Sequence, residues 1–196
     1  MSRDYDTIHL IQNALNDKDD KFTDLFVRMF NRLYERKCYS SALSTSITLQ
    51  LALKKLGYES TLIIGTVSYQ NVAYPHVWLE IDQKIFDIAI HLDTQFQPVL
   101  KNKEIQVVEP QINVEYNNTD IDYYAFQFYD TYIMSDLKRV VGKKYSEYID
   151  NAPQFDIIND ICYIMDIPET KEQTDALMEL AGQYTIKDEE ESQDDI

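Results

Sequence analysis

Between Cys38 and Leu56 the chain carries Ala42, Leu43, Ile47, Leu49, Leu51, Ala52, Leu53 and Leu56, apolar on nearly every side until Lys54-Lys55. Gly57 follows as a natural C-terminal stop. A helix of this kind has no face to offer water, so it belongs in the middle of a core with other elements packed around it. The chain of 196 residues is long enough to supply that cover within one domain.

The flanking segments read as the covering layers. Residues 5–16 and 20–36 are amphipathic helices; in the second, Phe22, Leu25, Phe26, Met29, Phe30 and Leu33 recur at helical spacing. After the central helix come three strand candidates, Ser60–Ser68, Tyr74–Ile81 and Lys84–Ile90, with shorter strand signals at 105–108 and 111–116. From Thr119 the pattern turns helical, with Tyr123, Tyr124, Phe126, Phe128, Tyr129, Tyr132, Ile133 and Leu137 on one aromatic-rich helix. Further helices are expected through Tyr148, at 154–166 and at 170–184, punctuated by Pro153 and Pro168. The class is α+β: a core over 1–116, a helical C-terminal part over 117–185, and a disordered acidic tail over 186–196.

Charge excludes one class of partner. The formal net charge is −16 and no basic stripe offsets it, which argues against nucleic-acid binding. Residues 187–196 hold one lysine and six acids, so five of those charges belong to the tail. The N-terminus shows no apolar signal segment, and no window approaches the roughly 18 apolar residues of a membrane span. The two cysteines, Cys38 and Cys162, lack framework spacing, which predicts free thiols in a cytoplasmic setting and no membrane association.

The chemistry-bearing residues lie at the start of the central helix and on the hairpin that follows. With Asp82-Gln83 as a two-residue turn, Ile81 pairs with Lys84 and Leu79 with Phe86. Val77, Leu79 and Phe86 then share an apolar face, and His76, Trp78 and Asp87 share the opposite one. A carboxylate on one imidazole nitrogen would leave the other to take a proton from a thiol. Cys38 at a helix N-terminus would feel the positive end of the helix dipole, which lowers a thiol pKa. Bland roles compete with each: a buried structural thiol, a satisfied strand histidine, a surface acid, a packing Trp78. His91 is a second candidate base, and His9 and Cys162 read as filler on amphipathic helices. A metal site at Cys38, His76 and Asp87 lacks the four ligands with short paired spacings that structural zinc prefers.

At these residues the chain resembles the transglutaminase-like superfamily of papain-like cysteine enzymes, over about residues 35–92. The resembling segments are Lys37-Cys38-Tyr39-Ser40-Ser41-Ala42-Leu43, Leu56-Gly57 into the first strand, Pro75-His76-Val77-Trp78-Leu79-Glu80 and Lys84-Ile85-Phe86-Asp87. Compact bacterial members, including the leader peptidases of lasso-peptide biosynthesis, are the most similar. The resemblance implies a papain-like core, a central Cys-bearing helix packed on an antiparallel sheet. It also implies a Cys38–His76–Asp87 triad acting through a thioester on a peptide or glutamine carbonyl of a peptide or protein substrate, without cofactor. Hydrolysis is favoured over cross-linking because the chain is short. A non-catalytic protein-binding module that keeps the fold and the motif is the alternative. The sequence departs from the family at Lys37, where glycine is frequent, and at Ile88, where proline is usual. No upstream glutamine supplies an oxyanion donor; Asn31 is the nearest amide, and Tyr39 and Trp78 are the other candidates for substrate or oxyanion contact.

Overall fold

A computed structural model describes residues 2–102, 104–125, 137–152 and 155–187. Helices α1 (Ser2–Ala14) and α2 (Asp20–Glu35) precede the central helix α3 (Ala42–Lys55). Strands β1 (Thr61–Tyr69), β2 (Val72–Ile81) and β3 (Lys84–Asp87) follow, then the short helices α4 (Ala89–Phe96) and α5 (Pro98–Lys101). Strands β4 (Gln111–Val114) and β5 (Asp122–Ala125) complete the sheet, and α6 (Tyr145–Asn151), α7 (Ile157–Met165) and α8 (Lys171–Ala181) follow. The architecture is α+β, with an antiparallel sheet in the order β4-β3-β2-β1-β5.

Helix α3 is enclosed as its composition demands: every residue from Ala42 to Leu53 is buried. It touches α2, α7 and α8 as well as β1 and β2. Its buried polar side chains find partners close at hand. Ser44 and Thr48 hydroxyls donate to the carbonyls of Ser41 and Ser44, at 2.9 and 2.8 Å. The Gln50 amide donates to Ser60 O at 2.7 Å and accepts from the Tyr145 hydroxyl. The cost of burying these groups is therefore met by hydrogen bonds rather than left outstanding.

The hairpins follow the expected register. Ile81 pairs with Lys84 and Leu79 with Phe86. The turn residues Asp82 and Gln83 both have positive φ (53° and 62°), as a two-residue type I′ turn requires. One sheet face, through Leu62, Ile64, Val77, Leu79 and Phe86, joins the main core beneath α2 and α3. The other, through Ile63, Val67, Tyr74, Trp78 and Ile85, packs with Ile90, Leu100, Ile105, Val108 and Ile121 in a second core.

Several expectations are corrected. The central helix begins at Ala42, not Cys38. The strand expected to reach Ile90 stops at Asp87, where the Asp87 carboxylate accepts from Ile90 N–H (3.0 Å) and turns the chain into α4. Residues 105–108 form no strand; Ile105 and Val108 are buried against the second sheet face instead. Tyr123 and Tyr124, expected on an aromatic helix, lie on β5 paired to β1, where tertiary pairing and the strand preference of aromatics override helical spacing. The remainder of that helix, 126–136, lies outside the described residues. Near the C-terminus Ile186 is fully buried and its N–H bonds to Lys143 O (2.9 Å), so the chain is held at least that far.

Gly65 tests the sheet packing. A methyl group there would lie 2.2 Å from the Tyr124 backbone oxygen and 2.9 Å from Trp78 Cη2. Backbone cannot yield cheaply, so Gly65→Ala is expected to cost ~2 kcal/mol or more and to lower Tm by about 4–8 °C. Thermal unfolding by circular dichroism checks this; an unchanged Tm would mean that β1 and β5 are not in the contact described.

Candidate functional site

The β2–β3 hairpin brings His76 and Asp87 together as the register implies. His76 Nε2 lies 2.8 Å from Asp87 Oδ2, with both side chains essentially excluded from solvent. Asp87 is held from three directions. It accepts from Ile90 N–H, from the Tyr123 hydroxyl at 2.9 Å, and shares the proton of the imidazole.

A residue that sequence reasoning missed completes the cluster. Asp93, on α4, places Oδ2 at 3.5 Å from His76 Nδ1, out of hydrogen-bonding alignment. Its Oδ1 accepts from Ser40 N–H at 2.6 Å. The other imidazole nitrogen therefore faces a second carboxylate, not a thiol. A signal for this was present: an Asp followed by Ile88-Ala89-Ile90 is a helix-start pattern, and a helix from there carries Asp93 back over the strand.

Burial alone would push the His76 pKa down, but the charge of Asp87, its hydrogen bond and the charge of Asp93 outweigh it, and the pKa is raised. The imidazolium is thus favoured. Burial lifts Asp93 to about 6, against the pull of His76 and the Ser40 N–H. Tyr74 and Tyr123 are pushed well above the ordinary phenol value, first by burial and then by Asp93 and Asp87 for Tyr74, and by Asp87 for Tyr123.

The cluster opens on a cavity of about 500 Å³. One wall is the run Val72–Val77 of β2, beyond the end of β3; others come from the first turn of α3 with Ser40, from Asp93, Gln97 and Leu100, and from Leu137, Tyr148 and Phe155. The first turn of the central helix, expected to lie over the histidine, lines the same cavity through Ala42 and Leu43.

Cys38 does not share it. The thiol is partly exposed in the segment joining α2 to α3, where its N–H bonds to Leu33 O (3.0 Å) at the end of α2. It does not line the cavity, and its charged neighbours are Arg36, Asp160 and Arg32. Burial raises its pKa, opposite to the expected helix-start effect. The reason is positional: Ser41, not Cys38, is the N-cap residue of α3.

The secondary candidates are equally placed. Trp78 is fully buried, donates to the Tyr116 hydroxyl (3.0 Å) and packs edge-on against Tyr123, so it is a core residue. Tyr39 is 46% exposed and Asn31 lies on α2; neither lines the cavity. His91 is turned into the core, with Nδ1 2.7 Å from Val108 O and its ring against Phe30. His9 stacks edge-on with Tyr5, and Cys162 is buried on α7. Among the described residues no group of three His, Cys, Asp or Glu side chains could hold a metal ion, and no helix is long and apolar enough to cross a membrane.

Comparison with protein-family models, curated proteins and solved structures finds no match. The functional reading therefore rests on the site itself.

The cluster makes a pH prediction. Asp93 binds its proton more tightly folded (about 6) than at its ordinary 3.8, so its contribution to stability falls as pH rises through that window. The loss is about 2–3 kcal/mol. The raised His76 pKa acts in the same direction: its contribution is present below 6.5 and is lost as pH rises through the folded value. Asp93→Asn removes the first part. In urea unfolding from pH 4 to 7.5, the stability of Asp93→Asn relative to the unsubstituted protein is expected to climb by about 2 kcal/mol. A pH-independent difference would show that Asp93 does not titrate in this cluster.

Proposed function

We propose that this protein is a non-catalytic binding module that keeps the papain-like arrangement of helix, hairpin and His–Asp pair, its cavity receiving a segment of a peptide or protein partner. One observation carries the reading: the imidazole nitrogen that would deprotonate a thiol faces Asp93, while Cys38 sits outside the cavity with a raised pKa. An imidazole with a carboxyl group against each ring nitrogen is a fixed, polar floor for the cavity rather than a base poised on a thiol. The cavity has the size and the mixture of apolar walls with few polar groups that ligand sites use. Its wall along β2 also suits an extended partner segment. The likeness of the Pro75–Glu80 and Lys84–Asp87 segments to transglutaminase-like proteins supports a shared ancestral frame.

A transglutaminase-like cysteine hydrolase or acyltransferase is the second reading, and one observation favours it. Lys37 and Ser40 hold positive φ (51° and 53°), a strained backbone on both sides of Cys38, and Ser40 already reaches the cavity. Relaxation of that segment is what would bring the sulfur to His76.

Alkylation separates the two. With iodoacetamide at pH 7.5 and mass-spectrometric resolution of the two cysteines, Cys38 is expected to react no faster than a free model thiol. His76→Ala and the more conservative His76→Gln are expected to leave that rate unchanged. Rapid alkylation that either substitution slows would overturn the binding-module reading in favour of the enzyme.

A further inference from the structure

The cavity floor contains more hydrogen-bonding capacity than the protein uses. The Tyr74 hydroxyl, His76 Nδ1 and Gln97 Oε1 are buried atoms without a hydrogen-bond partner, and all three residues line the cavity. Tyr74 and His76 are 7% and 1% exposed. An orphaned buried polar atom costs about 1–3 kcal/mol, so the Tyr74 and Gln97 oxygens left open at one cavity indicate a group that arrives from outside, while His76 Nδ1 faces Asp93 at 3.5 Å.

These residues are tied to one another. Gln97 Nε2 donates to Ser40 Oγ (3.1 Å), Ser40 N–H donates to Asp93 Oδ1, and the Tyr74 ring stands edge-on to His76 at 5.8 Å. Gln97 has thus committed its donor and turned its acceptor free. Among the described residues no lysine or arginine lines the cavity. Asp87 and Asp93 set two carboxyl groups around the one imidazole at the floor.

From this the geometry points to a primary ammonium on an apolar stem as the group that the cavity selects. The ammonium has three N–H donors. Asp93, Gln97 Oε1 and the Tyr74 hydroxyl oxygen are the three acceptors, and Asp93 supplies the opposite charge. The Ser40 N–H holds Asp93 in place through its Oδ1. The stem lies between Leu43, Val72, Leu100 and Phe155, where it gives up its apolar surface to the walls. This inference rests on the binding-module reading and adds the chemistry of the bound group.

Isothermal titration of the full chain at pH 8, where Asp93 is ionised, tests it with n-hexylamine, hexan-1-ol and hexanoate. The amine is expected to bind at least tenfold more tightly than the alcohol, and hexanoate not at all. Asp93→Asn is expected to erase the difference between amine and alcohol. Tyr74→Phe, which keeps the ring and so the packing, is expected to weaken the amine about threefold and leave the alcohol unchanged. Nα-acetyl-lysine-N-methylamide binding as well as hexylamine identifies the source as a lysine of a protein partner; binding ten times weaker identifies a free amine. Equal affinity for amine and alcohol would overturn the ammonium assignment and leave the cavity reading standing. No binding by either would overturn both.

Discussion

Burial of α3 on every side is the constraint from which the remaining architecture follows. A helix with Ile47, Leu51, Ala52 and Leu53 wholly excluded from water must be covered around its full circumference. The sheet covers one side, α2 another, and α7 and α8 the rest. The α2–α7 contact is fastened at the surface by Arg32 and Arg36 on Asp160, at 2.8 and 3.0 Å. Cys38 lies next to that ion cluster, so the segment joining α2 to α3 is anchored to the helical layer, and only from Ser40 onward does it face the cavity.

The second consequence concerns charge. β2 is buried on both faces, because Ile90, Leu100, Ile105, Val108 and Ile121 cover the side opposite α3. His76 and Asp87 therefore meet in an interior where an isolated charge would be expensive. The protein offsets that cost by convergence. Tyr123 from β5, the start of α4 and Asp93 each contribute a hydrogen bond or a charge to the pair. The cluster is assembled from β2, β3, β5 and α4, and it meets the cavity through His76 and Asp93. Perturbed titration at such a place is what singles it out as the candidate site.

Much of this was legible in the residues. The apolar residues spread around every side between Ala42 and Leu53, with only uncharged polar ones among them, required a central helix, and alternation along β2 and β3 gave the register that sets His76 beside Asp87. Period-2 patterning is unforgiving, since a slip of one residue would have buried the wrong face. The expectation failed where local pattern is ambiguous. Tyr123 and Tyr124 fit a helix by spacing and a strand by type, and the open edge of β1 decided between them. Ile88 to Ile90 continued an apolar run, which concealed the turn at which the Asp87 carboxylate accepts from Ile90 N–H.

The sequence by itself determined the elements with strong periodicity and the pairing of histidine with aspartate, because both depend on neighbours a few positions apart in the chain or across a tight turn. Only the tertiary structure decided which group meets the other side of the imidazole. Asp93 lies 17 residues beyond His76 and Ser40 lies 36 before it. Their meeting depends on where α3 starts and how α4 folds back over β2. The five residues from Cys38 to Ala42 would span about one helical turn had they been helical. Left outside the helix, they carry the thiol toward Arg36 and Asp160 and give its place beside the histidine to a carboxylate.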